Sequence, residues 1–261
     1  MKKLLFIITL FTIVGALSTT PSCTKNDNNN DTLVYEMQTL QQVYNGCNID
    51  SSDCTYITYQ YPFFSGGSEI DDSLNHIVLT IFGVTKKDDL TKTQQTFIHE
   101  YSEFVRKEPA YKFGWFSQTN VNVPYQTKNT VSLSIETDDY TGGAHGIYST
   151  FYTNFDKKSL RVITKNKLFT DSALQVLTTL AEEQFRKINE ITATADLEEQ
   201  GYTFNNNKFY LNDNFILTPE GITWLYNPYE IASYAQGAID LALNKEDILP
   251  LLNEEFKHIW D

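Results

Sequence analysis

The chain has 261 residues, of which 41% are hydrophobic and 20% are charged, and its formal net charge is −13 at pH 7. This composition is ordinary for a soluble globular protein, and the length is enough for one large or two small packed units. An acidic surface repels nucleic acids and anionic lipids and attracts basic proteins, so we expect no nucleic-acid partner.

The N-terminus has the order of a bacterial secretory signal. Lys2 and Lys3 precede an apolar run, Leu4–Val14, that is too short to span a membrane. Cys23 and the polar tract 24–31 follow this run. Such an order resembles a bacterial lipoprotein signal, in which cleavage before the cysteine leaves its thiol acylated.

We therefore predict a lipoprotein signal peptide over residues 1–22 and a flexible tether over residues 23–32, with lipidation at Cys23. A residue that carries two or more acyl chains is stably anchored, so the lipid is the only membrane attachment that we expect. The predicted location is the bacterial cell envelope, in the periplasm or at the outer-membrane face. The alternative is ordinary cleavage near residues 16–20, which leaves Cys23 unmodified.

Cys47 and Cys54 are the other two cysteines, an even pair in a chain that we predict to be exported. Turn-forming residues, 48–53, separate them between two strand-like segments. A disulfide across this hairpin stabilises the fold by roughly 2.5 kcal/mol through loop entropy. Two free thiols or a metal pair are the alternatives, but this spacing without a nearby histidine suits neither a zinc site nor a redox motif. We predict the disulfide.

Residues 33–110 are predicted to form an N-terminal α+β module of two strands and two helices. Ser68 begins the first helix, because Asp71 is placed to complete a capping box. Apolar residues recur at helical spacing in both helices, and Pro109 stops the second one. The strands are predicted over 33–44 and 55–61, and the helices over 68–81 and 87–107.

Residues 111–261 are predicted to form a C-terminal α+β module. Alternating apolar residues predict strands, Asp171 is predicted to cap a third helix, and a polar linker follows that helix. Asn244 is predicted to cap a last helix. The strands are predicted near 115–123, 130–136, 147–154, 214–218, 222–226 and 237–243. Because strands and helices are grouped in blocks, we predict an α+β fold with a mainly antiparallel sheet, helices packed on one face, and two modules.

Sequence patterns for catalysis, cofactors and metals are absent. The chain has four histidines, His76, His99, His145 and His258. None has metal-ligand spacing, and there is no phosphate loop, dinucleotide fingerprint or Gly-x-Ser-x-Gly motif. We therefore predict no enzyme activity, no cofactor and no metal. An alternative is a hydrolase in which His145, flanked by glycines, acts as a general base with Asp138 or Asp139.

Two segments rich in glycine and tyrosine, Tyr140–Gly146 and Asn227–Gly237, have the composition of binding loops. We predict that these loops converge at one end of the sheet and form a partner-binding surface. In the alternative interpretation the segments are structural, and Tyr229 and Tyr234 belong to the core. The predicted partner-binding residues are Tyr140, Gly142, Gly143, His145, Tyr229, Glu230 and Tyr234.

These segments also carry a resemblance to a known family, the extracellular domain of the anti-sigma factor RsiV. An upstream module resembles the companion N-terminal module of that family, which also occurs in the peptidoglycan deacetylase PdaC. The resemblance covers nearly all of residues 33–255, and it departs from the family pattern at Ser233, where we expect proline. It is carried by Ile57–Pro62, Leu74-Asn75, Tyr140–Gly146, Asn154–Asp156, Asn227–Ala232 and Tyr234–Gly237.

The resemblance implies a noncatalytic sensor or binding module that recognises lysozyme. Our first hypothesis is therefore a lipid-anchored envelope protein that recognises or inhibits a lysozyme-like muramidase, a cationic partner that suits an acidic chain. The second hypothesis is a module that binds peptidoglycan or another glycan without catalysis.

Overall fold

A six-stranded sheet is the central element of the described chain, residues 32–261 of a computed structural model. The strands lie in the sheet in chain order, and all neighbours are antiparallel except the second and third, which are parallel. The strands are β1 (Tyr35–Val43), β2 (Tyr56–Phe64), β3 (Phe116–Gln126), β4 (Thr130–Tyr140), β5 (Ile147–Asp156) and β6 (Arg161–Ile163).

Two helices connect the parallel strands β2 and β3, which need such a crossover. They are α1 (Glu69–Ile81) and α2 (Lys87–Lys107), and α2 has the bounds that the sequence predicted. The predicted capping box begins α1: Asp71 N donates to Ser68 Oγ at 3.2 Å, and Ser68 N donates to Asp71 Oδ2 at 2.8 Å. Both helices bury their apolar faces on one side of the sheet, in a core that includes Leu74 and Leu90.

A second, antiparallel sheet of three strands follows, and the sequence alone did not separate it from the first. Its strands are β7 (Phe215–Thr218), β8 (Gly221–Tyr226) and β9 (Ile239–Asn244). This sheet and α4 (Asp171–Ile188) surround a second core, with Trp224 and Phe185 fully buried. The predicted α+β fold with a mainly antiparallel sheet is confirmed.

The six-stranded sheet extends across the predicted module boundary at residue 110. Tyr56 on β2 pairs with Phe116 on β3, so strands from both predicted modules form one sheet. Beyond β6, the chain forms a short helix, α3 (Lys165–Leu168), before α4.

Three local predictions are corrected by the structure. Thr170 is the N-cap of α4, and its Oγ1 accepts from Ala173 N at 3.2 Å, so the predicted cap Asp171 is instead the first helical residue. Asn244 occupies the cap position of α5 (Lys245–Ile248), but its side chain makes no cap hydrogen bond. The last helix is short because the chain continues as 3-10 turns through Pro250, which has no backbone N–H to donate.

The third correction concerns the predicted polar linker after α4. Asparagine and charged residues dominate its sequence, yet it contributes aromatic rings to the second core. Tyr202, Phe204 and Phe209 are buried and pack edge-on or tilted around Phe185, with ring centroids 4.9–5.6 Å apart. The linker is therefore a packed part of the fold.

The predicted signal peptide, residues 1–22, and the predicted lipidation site Cys23 lie outside the described residues, as does the tether up to residue 31. Within residues 32–261, no helix combines the length and the apolar character needed to cross a bilayer.

Candidate functional site

The turn between β4 and β5 and the loop between β8 and β9 meet in the structure. Tyr234 from the second segment donates its hydroxyl to the carbonyl oxygen of Gly146 at 3.3 Å, and Tyr229 Oη lies 3.5 Å from His145 Nε2. We call the exposed side of residues 141–146 and 227–237 the two-loop surface. The predicted convergence of the two segments is present.

Glycine sets the shape of the first turn. Gly142 and Gly143 have φ of +107° and +101°, a region that residues with a Cβ rarely adopt. At Gly146 the constraint is space, because a Cβ there would lie 3.0 Å from the carbonyl oxygen of Asp139. The positive φ predicted for this turn is present at Gly142 and Gly143 but not at Gly146, where a side chain would require Asp139 to shift.

An aromatic cluster covers the two-loop surface. The imidazole of His145 stacks on the ring of Tyr234, with centroids 4.4 Å apart and an interplanar angle of 25°. The ring of Tyr229 also contacts the ring of Tyr234, with centroids 5.3 Å apart. Tyr148 completes the cluster at 5.8 Å from Tyr234, edge-on. Tyr148 was not among the predicted site residues. Its position two residues after Gly146 places it next to the turn, and this proximity could have identified it.

Tyr229 is held in an unusual backbone conformation. Its φ is +70°, which is rare for a residue other than glycine, and its side chain is 58% exposed. Tyr234 is half-buried against His145. The alternative that both tyrosines are core residues is therefore not what the structure shows.

Hydrogen bonds from polar side chains hold the loop 227–237 against β5 and Asn212. The Asn227 side chain pairs with both backbone groups of Thr150 on β5: its Oδ1 accepts from Thr150 N at 2.7 Å, and its Nδ2 donates to Thr150 O at 3.0 Å. Glu230 accepts from Asn227 N at 2.9 Å through one oxygen and from Asn212 Nδ2 at 2.8 Å through the other. Both carboxylate oxygens of Glu230 thus hold the loop, although the residue is exposed. In the sequence, the only indication of this role is that Asn227 follows a strand and precedes Pro228, a pattern typical of turns.

Tyr140 lies apart from the aromatic cluster. Its ring stacks on Phe116 at 6.0 Å, and Phe116 stacks on Tyr56 at 5.8 Å, so three rings form a row across β2, β3 and β4. The Tyr140 hydroxyl donates to the carbonyl oxygen of Gly143 at 3.1 Å and supports the glycine turn. Of the four aromatic residues predicted to act together, the structure joins His145, Tyr229 and Tyr234.

Carboxylates lie beside the two-loop surface. Asp138 pairs in register with Tyr148 across β4 and β5, and Glu136 lies two residues away on the same face of the sheet. Burial, and then the charge of Asp139, raises the pKa of the Asp138 carboxyl. Burial also raises the pKa of Asp240 on β9. These groups give the surface a negative charge near neutral pH.

The pairing that a hydrolase would need is not formed. His145 Nδ1 lies 2.7 Å from the carbonyl oxygen of Gly146, and among residues 32–261 the imidazole forms no hydrogen bond to Asp138 or Asp139. Across the same residues, no group of three or more His, Cys, Asp or Glu side chains is arranged to hold a metal ion.

Two family models match this chain. The model described as Deacetylase PdaC matches residues 49–148, and the model described as a protein of unknown function, DUF3298, matches residues 166–246. This is the RsiV-like order of modules, and it confirms the resemblance that the sequence predicted. No curated protein matches the chain.

Two of the solved structures that share its fold belong to the DUF3298 family. One is a DUF3298-family member from Bacteroides fragilis, with a TM-score of 0.69 and 24% identity, over 87% of this chain and 96% of the other. The second is a DUF3298-family protein from Pseudomonas aeruginosa, with a TM-score of 0.62 and 18% identity, over 86% of this chain and 96% of the other. At these identities the similarity is one of fold.

Proposed function

We infer from the RsiV-like architecture of this chain, a PdaC domain followed by a DUF3298 domain, that it is a noncatalytic binding protein of the bacterial cell envelope. These domains indicate a module associated with the cell envelope. We propose further that the two-loop surface recognises a basic protein of the lysozyme-like muramidase class and inhibits it by occupying its surface.

The exposed ring of Tyr229 is the observation that carries this proposal. Tyr229 is 58% exposed and has a positive φ. This backbone conformation costs free energy and persists only where the surrounding structure fixes it. Here the bonds of Asn227 to Thr150 and of Glu230 to Asn212 fix the loop. A binding residue that is ordered before the partner arrives loses little entropy on association, and tyrosine is enriched at the energetic centres of interfaces.

Charge supports a basic partner. The chain has a net charge of −13, and Glu136, Asp138 and Asp240 lie on strands next to the two-loop surface. Opposite charges on two proteins speed their encounter and favour the matching partner. Lysozyme-like muramidases are basic and act in the same cell envelope, which fits the predicted export and lipid anchoring at Cys23.

Substitution of Tyr229 tests the proposal. In Tyr229→Ala, the Kd for immobilised lysozyme is expected to rise about thirtyfold, on the order of 2 kcal/mol, while the melting temperature is unchanged because the ring is exposed. Binding by the wild-type protein is expected to weaken as salt is added, since surface charges are then screened. Biosensor titrations at two ionic strengths, with thermal melts of each variant, measure both effects.

Phe151→Ala is the matched control, because Phe151 is an aromatic residue of β5 that is 49% exposed and three positions from Tyr148, hence on the opposite face of the strand. It is expected to bind like the wild type. The proposal is wrong if the wild type binds no basic muramidase, or if Tyr229→Ala melts like a core deletion and binds normally. An assay of peptidoglycan hydrolysis with His145→Ala tests the hydrolase alternative, which requires turnover by the wild type.

A further inference from the structure

A pocket of about 420 Å³ lies beside the disulfide hairpin, and Tyr140, which bonds to Gly143 of the two-loop surface, is among its lining residues. The row of three rings that ends at Tyr140 forms part of its lining. This hairpin pocket lies within the size range of small-ligand sites in proteins. Its lining residues are Ile49, Asp50, Ser51, Ser52, Cys54, Tyr56, Phe113, Gly114, Phe116 and Tyr140.

The walls of the hairpin pocket are fixed by covalent and backbone contacts. The predicted disulfide is present, with the Cα atoms of Cys47 and Cys54 5.4 Å apart, and it closes the hairpin that forms one wall. Gly114 N donates to the carbonyl oxygen of Ser52 at 3.0 Å, which ties that wall to the segment before β3. A Cβ at residue 114 would lie 1.9 Å from the carbonyl oxygen of Cys54, so only glycine allows this approach. The pocket is therefore preformed.

The lining combines apolar rings with small polar groups. Phe113 is 57% exposed, and its ring contacts Tyr111 edge-on with centroids 5.9 Å apart. The Tyr56 hydroxyl accepts from Gln118 Nε2 at 2.6 Å, so its ring is held in place. Ser52 and Asp50, which carry a hydroxyl and a carboxylate, are the lining residues contributed by the hairpin.

We propose that the hairpin pocket binds a neutral saccharide. A pyranose ring has an apolar face of C–H groups and a rim of hydroxyls, and this pocket offers aromatic rings for the first and hydroxyl and carboxylate groups for the second. An anionic ligand does not suit it, because no Lys or Arg is among the lining residues of the described chain. A second site of this kind gives an envelope protein a contact with glycan that does not depend on its protein partner.

Calorimetric titration of the full chain with N-acetylglucosamine and glucose oligomers tests the proposal. The wild type is expected to bind at least one of the two. Phe113→Ala removes an exposed aromatic ring of the lining, and Ser52→Trp fills the pocket while its backbone bond to Gly114 is kept. Each variant is expected to raise the Kd about tenfold or more, because the first loses a ring for the sugar face and the second occupies the space of the ligand. Reduction of the Cys47–Cys54 disulfide, which frees one wall, is expected to weaken binding in the same direction.

Phe151→Ala and Tyr229→Ala are the controls, and both are expected to bind saccharide like the wild type. Tyr229→Ala therefore separates this inference from the proposed function, because it impairs protein binding alone. The inference is overturned if the wild type binds neither oligomer, or if Phe113→Ala and Ser52→Trp both bind unchanged.

Discussion

Asp156, at the end of β5, connects the six-stranded sheet to the last residues of the chain. Its carboxylate is 5% exposed and lies 3.2 Å from Nε2 of His258. Burial by itself would raise the pKa of this carboxyl, but hydrogen bonds from the Ser159 and His258 side chains and from the backbone of Lys158 and Ser159 outweigh it and hold the pKa below its ordinary value. The folded state therefore favours the charged form of Asp156.

A lowered pKa gives this residue a defined effect on stability. Its contribution is fully present above the ordinary pKa of aspartate, about 3.9, and is lost as the pH falls through the lower pKa of the folded state. We expect the free energy of unfolding of the wild type to fall with acid in that window, and Asp156→Asn to lose this part of the slope. Urea unfolding at a series of pH values from about 6 to about 2.5 measures it.

Two other carboxyls act in the opposite direction, because burial raises the pKa of Asp138 and of Asp240. The comparison of Asp156→Asn with the wild type at each pH removes their common contribution. Asp88→Asn, at an exposed position of α2, is the control and is expected to keep the wild-type slope. An identical slope in Asp156→Asn would contradict the assignment.

At the scale of elements, one buried asparagine joins the two sheets. Asn154 on β5 is 1% exposed; its Nδ2 donates to Phe215 O at 2.8 Å, and its Oδ1 accepts from Leu217 N at 3.0 Å. Ser132 on β4 also donates to that oxygen at 2.7 Å. The side chain thus pairs with β7 as a neighbouring strand would, and β7 packs against the face of the large sheet that α1 and α2 leave free.

Asn154→Ala is expected to reduce the free energy of unfolding by about 3 kcal/mol, because it leaves a buried N–H and a buried carbonyl without partners. Asn120→Ala is the matched control: Asn120 is a half-buried asparagine on β3 whose side chain makes no hydrogen bond to another described residue. We expect this variant to lose less than about 1 kcal/mol. Denaturant unfolding of both proteins measures the difference, and equal losses would mean that Asn154 does not join the sheets energetically.

Elements with strong local signals were predicted well. The helix α2 follows from its apolar spacing and Pro109, and the start of α1 follows from Ser68 and Asp71, since both signals lie within a few residues. The predicted N-cap of α4 was wrong by one residue, because Thr170 and Asp171 both have side chains that can cap a helix and only the backbone geometry distinguishes them. Burial of the Asn-rich linker was missed because its aromatic rings are separated by polar residues without a helical or strand period.

At the scale of the whole molecule, the sequence predicts attachment to a membrane through Cys23. Cys23→Ser is expected to release the protein into the soluble fraction, because the acyl chains on this residue are the predicted anchor. Membrane fractionation after a high-salt wash measures it. Cys47→Ser, which breaks the Cys47–Cys54 disulfide but leaves Cys23 unchanged, is expected to stay in the membrane fraction, and retention of Cys23→Ser there would refute lipidation.

The candidate site was predicted in part. The glycine turn, the aromatic residues and the meeting of the two loops follow from composition and from the resemblance to the RsiV family. The positions of Tyr140 and Glu230 did not follow: the ring of Tyr140 belongs to the row with Phe116, and the carboxylate of Glu230 bonds to Asn212 and Asn227. Phe116 and Asn212 lie on other segments of the chain, so the local sequence around Tyr140 and Glu230 does not identify these contacts.

The helices α1 and α2, the turn at Gly142 and Gly143, the disulfide pair and the resemblance to RsiV-like modules could be predicted from the sequence, because each depends on residues close in the chain or on a motif that is read directly. The division of nine strands into two sheets in the described chain, the burial of the linker and the assembly of the hairpin pocket follow from tertiary contacts alone. These features depend on contacts between residues that are far apart in the chain, such as Asn154 with Phe215 and Thr150 with Asn227. Such contacts are selected by burial and strand register in the folded state, and local propensity does not encode them.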